Sequence, residues 1–454
     1  MLLGIGWGGF AFGAVYPWAY VPLLLCACLC AVWMGATSPS FLRRNTEVAV
    51  GLGVVASVVL FQLVPLKIST LAMISPAFPA LLQSYVLGFA SPAPDARHPL
   101  SISPGASAVG LMCLVSFGAL LLTLSAKLDR RAIVTIVRGV AVIGTLMALV
   151  GIVQAPFYVE KIYGLWTPFA RGPLDAFGPF VNRNHFAGWM LMGLPLTFGY
   201  LMSGVHRQPG HLKAGVRARI VWLSSAEASE VLLLATASLI MGLSVVLTRS
   251  RSGLIGLTIA VLLTVAWIAR SSTGWRRSSS VAFGLFLLAF SVWWAGFAPT
   301  ATRFGDLGAA LGDRIGIWRD AWNIGRRFPF TGTGLNTFGI ATLFYQTHNL
   351  RLHFAQAHND YLQLFAEGGL LLCVPAGITV FLFAHRVRSR LGEDRETGSM
   401  IWIRRGAIAG LVAIATQEVG EFSLQMPGNA FLFVILSAIA LASPEAGEMR
   451  VAAR

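Results

Sequence analysis

Long apolar runs, free of charge and recurring along almost the whole chain, restrict this sequence more than any other feature. A hydrocarbon core about 30 Å thick needs roughly 20 apolar residues per helix. Runs near 1–16, 18–34, 47–65, 106–126, 132–154, 185–203, 229–248, 252–270, 280–298, 365–385, 402–419 and 428–444 meet or approach that length, so about twelve spans are expected. An open sheet cannot satisfy its edge groups in lipid, and a barrel would read as short alternating strands. The runs here are continuous, so the predicted fold class is all-α. The chain reads as a polytopic membrane protein with residues 1–454 as one integral membrane domain. Charged residues make up 12% of it, about half the share in soluble domains.

The first run is short and glycine-rich. No charged segment precedes it, so Met1–Val15 is expected to be retained and not cleaved as a signal peptide. The stretch 66–105 is interrupted by Pro76, Pro79, Pro92, Pro94, Pro99 and Pro104, and reads as an irregular loop with an interfacial or re-entrant piece. Cys26, Cys28, Cys30, Cys113 and Cys373 lie inside apolar runs, where thiols act as small packing groups.

A net charge of +15 would suggest nucleic acid in a soluble protein. Here alternate loops carry twenty of the 34 basic residues: Arg43 and Arg44, Lys127 to Arg131, Arg207 to Arg219, Arg270 to Arg277, Arg386 to Arg405, and the tail. The positive-inside rule makes that face cytoplasmic, with both termini on it. The opposite, periplasmic face still holds thirteen: Lys67, Arg97, Lys161, Arg171, Arg183, Arg249, Arg251, Arg303, Arg314, Arg319, Arg326, Arg327 and Arg351. Orientation does not require these, whereas an anionic ligand could. The largest loop, 299–364, lies on this face between the ninth and tenth expected spans.

Three clusters on that face carry the candidate chemistry. Thr248-Arg-Ser-Arg-Ser-Gly sits in a tight turn between two spans. Arg249 and Arg251 could snorkel, but two guanidinium forks beside a helix N-terminus suit a phosphate better. Arg314-Ile-Gly-Ile-Trp-Arg-Asp-Ala-Trp places Arg314, Trp318 and Trp322 on one helical face ahead of a Gly332/Gly334 turn; an interfacial amphipathic helix is the plainer reading. Ala357-His-Asn-Asp-Tyr-Leu-Gln-Leu-Phe-Ala-Glu-Gly-Gly runs straight into an apolar span. His358 at a membrane lip, flanked by Asn359 and Asp360, is a candidate base or phosphate contact. Asp360 is the second choice for base, and Tyr361 and Glu367 complete that cluster. A smaller set, Asn182-Arg183-Asn184-His185, reads first as a helix cap, with Arg183 facing the site. Glu418 and Glu421, near the periplasmic end of a late span, are expected to pair with these arginines. No spacing of Cys, His or carboxylates suggests a metal, and no cofactor is expected.

Ser250-Arg-Ser-Gly after a span, Arg314-x-x-x-Trp-x-x-Ala before a Gly-x-Gly-Leu turn, and His358-Asn-x-Tyr-Leu-x-x-x-x-Glu-x-Gly entering the next span resemble the O-antigen ligase and O-antigen polymerase superfamily over residues 180–385. Ile255 stands where that family's Arg-x-x-x-Leu pattern has leucine. The resemblance implies a metal-independent, inverting glycosyltransferase of the C-type membrane fold. Such enzymes move a glycan from undecaprenyl pyrophosphate to an acceptor on the periplasmic side of the bacterial inner membrane. By that resemblance Arg251 and Arg314 would hold the pyrophosphate, and His358 would contact the donor phosphate or activate the acceptor hydroxyl. The acceptor would be lipid A–core in a ligase, the favoured reading, or a lipid-linked glycan in a polymerase. A transporter would place its polar groups at the bilayer midplane, and an assembly protein would use the arginines for anionic lipid. Nucleic acid is not an expected partner; membrane lipids are.

Overall fold

The computed structural model describes residues 1–36, 45–85, 89, 96–157, 161–169, 175–206, 224–271, 278, 282, 303–393 and 400–443. Its helices are α1 (Leu2–Phe10), α2 (Pro17–Ala36), α3 (Thr46–Gln62), α4 (Ile68–Ile74), α5 (Phe78–Tyr85), α6 (Pro104–Lys127), α7 (Arg130–Gln154), α8 (Arg183–His206), α9 (Ala226–Leu247), α10 (Arg251–Ser271), α11 (Arg303–Arg327), α12 (Phe338–Tyr345), α13 (Asp360–Glu393), α14 (Met400–Gln417) and α15 (Pro427–Leu441). The starts follow local chemistry. Asp129 accepts the amide of Ala132 (2.7 Å) and Ser225 that of Ala228 (3.2 Å), satisfying donors the first turn cannot. Pro104 and Pro427 open α6 and α15, where no backbone N–H is needed.

The chain is an all-α multi-pass membrane protein. Seven of the described helices are long and apolar enough to cross a membrane, and Thr46–Gln62 and Pro427–Leu441 are shorter apolar helices. Among the described residues twelve spans are not shown. The expected span at 1–16 is a nine-residue helix, about 13 Å long at 1.5 Å per residue, and it stops where Phe12, Gly13 and Ala14 all take left-handed backbone. The expected span at 280–298 lies outside the described residues.

The least apolar span is the central one. For α8, 89% of its apolar window is buried at mean hydropathy 1.2, against 17% for α13 and 22% for α2 and α10. Lipid rewards greasy surfaces, while the bundle interior rewards small residues and close packing. Gly199 of α8 and Gly406 of α14 accordingly meet backbone to backbone, so that a side chain on either would overlap the partner helix.

Connections and cross-helix bonds sort the helix ends into two faces. Asn45 donates to Ser125 (2.9 Å), and buried Arg404 donates to the carbonyls of Ala440 and Ala442 at one end. Gln62, Arg183, Leu247, Arg251, Asp360, Gln417 and Pro427 belong to the other. Over that second end the stretch after Gln62 is structured. Leu66 and Lys67 pair antiparallel with His98 and Arg97, and α4 and α5 pack with α11 and α12 around Phe78, Leu81, Ile324, Phe328 and Phe338.

This cap is tied to the bundle by a break in α13. Gly369 leaves helical geometry at φ 55, ψ −161, and the freed amides of Leu370 and Leu371 bond to the carbonyls of Pro329 and Phe330 (2.8 and 2.9 Å). Across the same break Thr333 and Gly334 donate to the carbonyls of Ala366 and Glu367 (3.1 and 2.9 Å). Irregular backbone at membrane depth survives only when protein satisfies it. Gly332 and Gly369 both have positive φ, and a Cβ at either would overlap the crossing strand.

Candidate active site at one end of the bundle

The turn at Gly332–Asn336 is positioned by two buried side chains. Gln62 donates to the carbonyls of Thr331 (2.9 Å) and Glu367 (3.1 Å) and accepts from Leu335 (3.1 Å). The carboxylate of Glu367 accepts from the amides of Asn336 (2.7 Å) and Phe338 (3.0 Å) and from Gln363 (3.1 Å). Glu367, expected to bind substrate, is thus 3% exposed and occupied in holding this turn.

His358 lies two residues before α13. Asn359 caps that helix by accepting the amide of Leu362 (3.0 Å), so its side-chain oxygen is taken up within the protein. His358 itself has φ +50, a left-handed conformation that costs of order 1–3 kcal/mol in a residue with a side chain. Its carbonyl is held by the indole N–H of Trp318 from α11 (3.2 Å). Arg249 shares the positive φ, at +54. Asp360 accepts from Gln425 (2.7 Å), and Tyr361 donates to the carbonyl of Ala415 (2.7 Å) while staying half exposed.

The centre of the arrangement is Glu421, in the connection from α14 to α15 and fully buried. One oxygen accepts from Asn184 at the start of α8 (2.8 Å) and forms an ion pair with Arg314 of α11. The other lies 3.6 Å from Nδ1 of His358, just past hydrogen-bond distance. Phe422 stands edge-on between two imidazoles, 4.6 Å from His185 and 4.8 Å from His358. Burial alone would raise the Glu421 carboxyl, but His358, Arg314 and His185 outweigh it and hold it below the usual carboxylate range. One turn earlier the reverse holds for Glu418: burial first, then the facing Asp360, push it well above that range.

The expected residues therefore separate. Arg314, Trp318, His358 and Asp360 converge with Glu421. Arg251 opens α10 close by. A Cβ on Gly253 would stand 2.8 Å from Ala187, one turn along α8 from Asn184, and Arg249 and Arg251 are both exposed at the start of α10. Arg183 pairs with Asp175 (2.9 Å) and is partly exposed beside Asn184. Glu421 and His185 were the less legible members. The signal for Glu421 was an acid near a membrane boundary on a face rich in arginine; for His185 it was only the Asn-Arg-Asn-His sequence, which equally describes a cap.

The His358 imidazole, a buried carboxylate and guanidinium groups, two of them opening helices, can bind an oxyanion and move a proton beside it. Among the described residues no group of three or more His, Cys, Asp or Glu could hold a metal ion. No curated protein matches the chain. A family model does: Wzy_C, O-antigen ligase, matches residues 236–376, which include Arg249, Arg251, Arg314, Trp318 and the His358–Glu367 segment but stop short of Glu421. This multi-pass membrane protein carries an O-antigen ligase (Wzy_C) domain.

Proposed function

We propose that the chain is an inverting glycosyltransferase that moves a glycan from undecaprenyl pyrophosphate to an acceptor hydroxyl at the periplasmic face of the inner membrane. The acceptor in this reading is lipid A–core, which makes the protein a ligase. The observation that carries the proposal is Glu421, one buried carboxylate facing both the anion-binding Arg314 and the base candidate His358.

In one displacement the acceptor oxygen attacks the anomeric carbon from the face opposite the leaving group. The new C–O bond forms as the bond to the pyrophosphate oxygen breaks. His358 takes the hydroxyl proton on Nε2, and undecaprenyl pyrophosphate leaves with its electron pair and added negative charge. Glu421 behind Nδ1 stabilises the imidazolium that forms. Arg314 and Arg251 stabilise the charge developing on phosphate, at a protein boundary where fixed donors exceed their worth in water. Guanidinium groups in that role let the reaction run without a divalent ion. Basic residues at the opposite end, Lys127, Arg130, Arg131, Arg270, Arg386 and Arg388, support placing that end in the cytoplasm.

The test is transfer by purified protein given a lipid-linked glycan with and without lipid A–core, before and after EDTA. Product on lipid A–core that survives chelation is expected. Longer lipid-linked chains made without that acceptor would replace the ligase reading with a polymerase. Arg251→Ala and Arg314→Ala should each lower transfer at least ~100-fold; full activity in both would remove the pyrophosphate clamp.

A further inference from the structure

Behind Glu421 lies a set of buried polar groups that the transfer step does not use. His185, Gln417, Glu418 and Asn429 are 6%, 1%, 1% and 0% exposed. They are drawn together by backbone contacts: Asn429 donates to the carbonyl of His185 (2.9 Å) and Gln417 to that of Asn184 (2.9 Å). Yet Nε2 of His185, Nδ1 of His358, Oε1 of Gln417, both oxygens of Glu418, Oε2 of Glu421 and Oδ1 of Asn429 have no partner within normal hydrogen-bond distance; among them His358 and Glu421 face each other at 3.6 Å, and Glu418 faces Asp360. These seven atoms are more than half of the thirteen such buried atoms among the described residues. Native interiors rarely leave polar atoms unmatched, and where they do a bound water or ion usually supplies the partner. Five of the seven are oxygen acceptors, which need donors.

Resting on the glycosyltransferase reading, we propose that this pocket binds water and conducts the proton of each transfer away from His358, through Glu421 and Glu418, to Asp360 at the bundle end. Buried chains of acids and histidines inside membrane proteins commonly carry protons. The route is continuous in residues. His358 hands its Nδ1 proton to Oε2 of Glu421, 3.6 Å away. Water in the pocket passes a proton on to Glu418, which releases its own towards Asp360, itself bonded to Gln425 and partly open. The net movement is one proton from acceptor hydroxyl to solvent, while the pyrophosphate departs as the anion. Charged or titratable groups facing this path are Arg314 from α11, His185 from α8, His358 just before α13, and Asp360 and Tyr361 from α13, with Asp175 acting on Glu421 from further off. Glu418 carries the proton on this path, and His185 acts through Glu421 as a positioning residue.

The experiment compares single-turnover and steady-state transfer by full-length wild type and Glu418→Gln, in H2O and D2O. Glu418→Gln should keep its single-turnover rate within about twofold, lose about tenfold in steady state, and show a solvent isotope effect there that the wild type lacks. Glu418→Asp should recover most of the loss. Where Glu418→Gln melts before assay temperature, His185→Gln carries the same expectation. Equal rates in wild type and variant, or equal losses in both regimes with no isotope effect, would overturn the proton route. No transfer by the wild type would overturn the glycosyltransferase reading and the route with it.

Discussion

Glu421→Gln keeps the shape of the central side chain and removes its charge. At 3.6 Å from Nδ1 of His358, a carboxylate stabilises an imidazolium by about 4–5 kcal/mol at an effective dielectric constant of about 20. Arg314 pairs with the same carboxylate and draws off part of that, leaving about 3–4 kcal/mol. At 1.36 kcal/mol per tenfold, kcat should fall about 10²- to 10³-fold. The imidazolium exists only after proton transfer begins, so this loss belongs to the transition state. Arg314, freed from its partner, should hold the donor pyrophosphate no more weakly, and the donor KM should stay level or drop. The assay is steady-state transfer with the lipid-linked donor varied, beside a thermal melt in detergent. A variant with normal kcat would refute the reasoning. So would one whose loss lies wholly in a raised KM, because Glu421 would then shape the donor site instead of supporting the base.

The remaining expectations concern pH and the fold. The Glu421 carboxyl is held below its unfolded value, so it adds stability that is present above the ordinary glutamate range and is lost as pH falls through the lowered value. The Tm gap between wild type and Glu421→Gln should therefore be full at pH 7 and shrink below about pH 4.5; a constant gap would contradict the assignment. Glu367→Gln replaces one of two oxygens that each accept a backbone amide with a donor and should cost about 1–3 kcal/mol, read as lowered Tm. Gly369→Ala meets a left-handed backbone and the Phe330 carbonyl together, and should abolish correctly folded protein in detergent by size-exclusion chromatography. A folded, active Gly369→Ala protein would mean that the break in α13 is not required.

The sequence by itself determined the solvent, the fold class and the candidate end. Hydropathy and charge are summed over neighbouring residues, so runs such as 106–126 and 132–154 declare their environment without any knowledge of partners. The surplus of arginine on one face, and the approximate places of Arg251, Arg314 and His358, were legible for the same reason. The tertiary structure decided what depends on segments far apart in the chain. Apolar composition could not show that α1 ends after nine residues, because its end is set by the turn through Gly13 packed on Phe180. Nor could the Glu-Gly-Gly sequence show that α13 breaks to admit residues 329–334, which turns Glu367 from a candidate ligand contact into the anchor of a turn. Glu421 reaches Arg314 across 107 residues and Asn184 across 237. A carboxylate's environment is the sum of whatever folds against it, and only the folded bundle places a guanidinium, an amide and two imidazoles around that one acid.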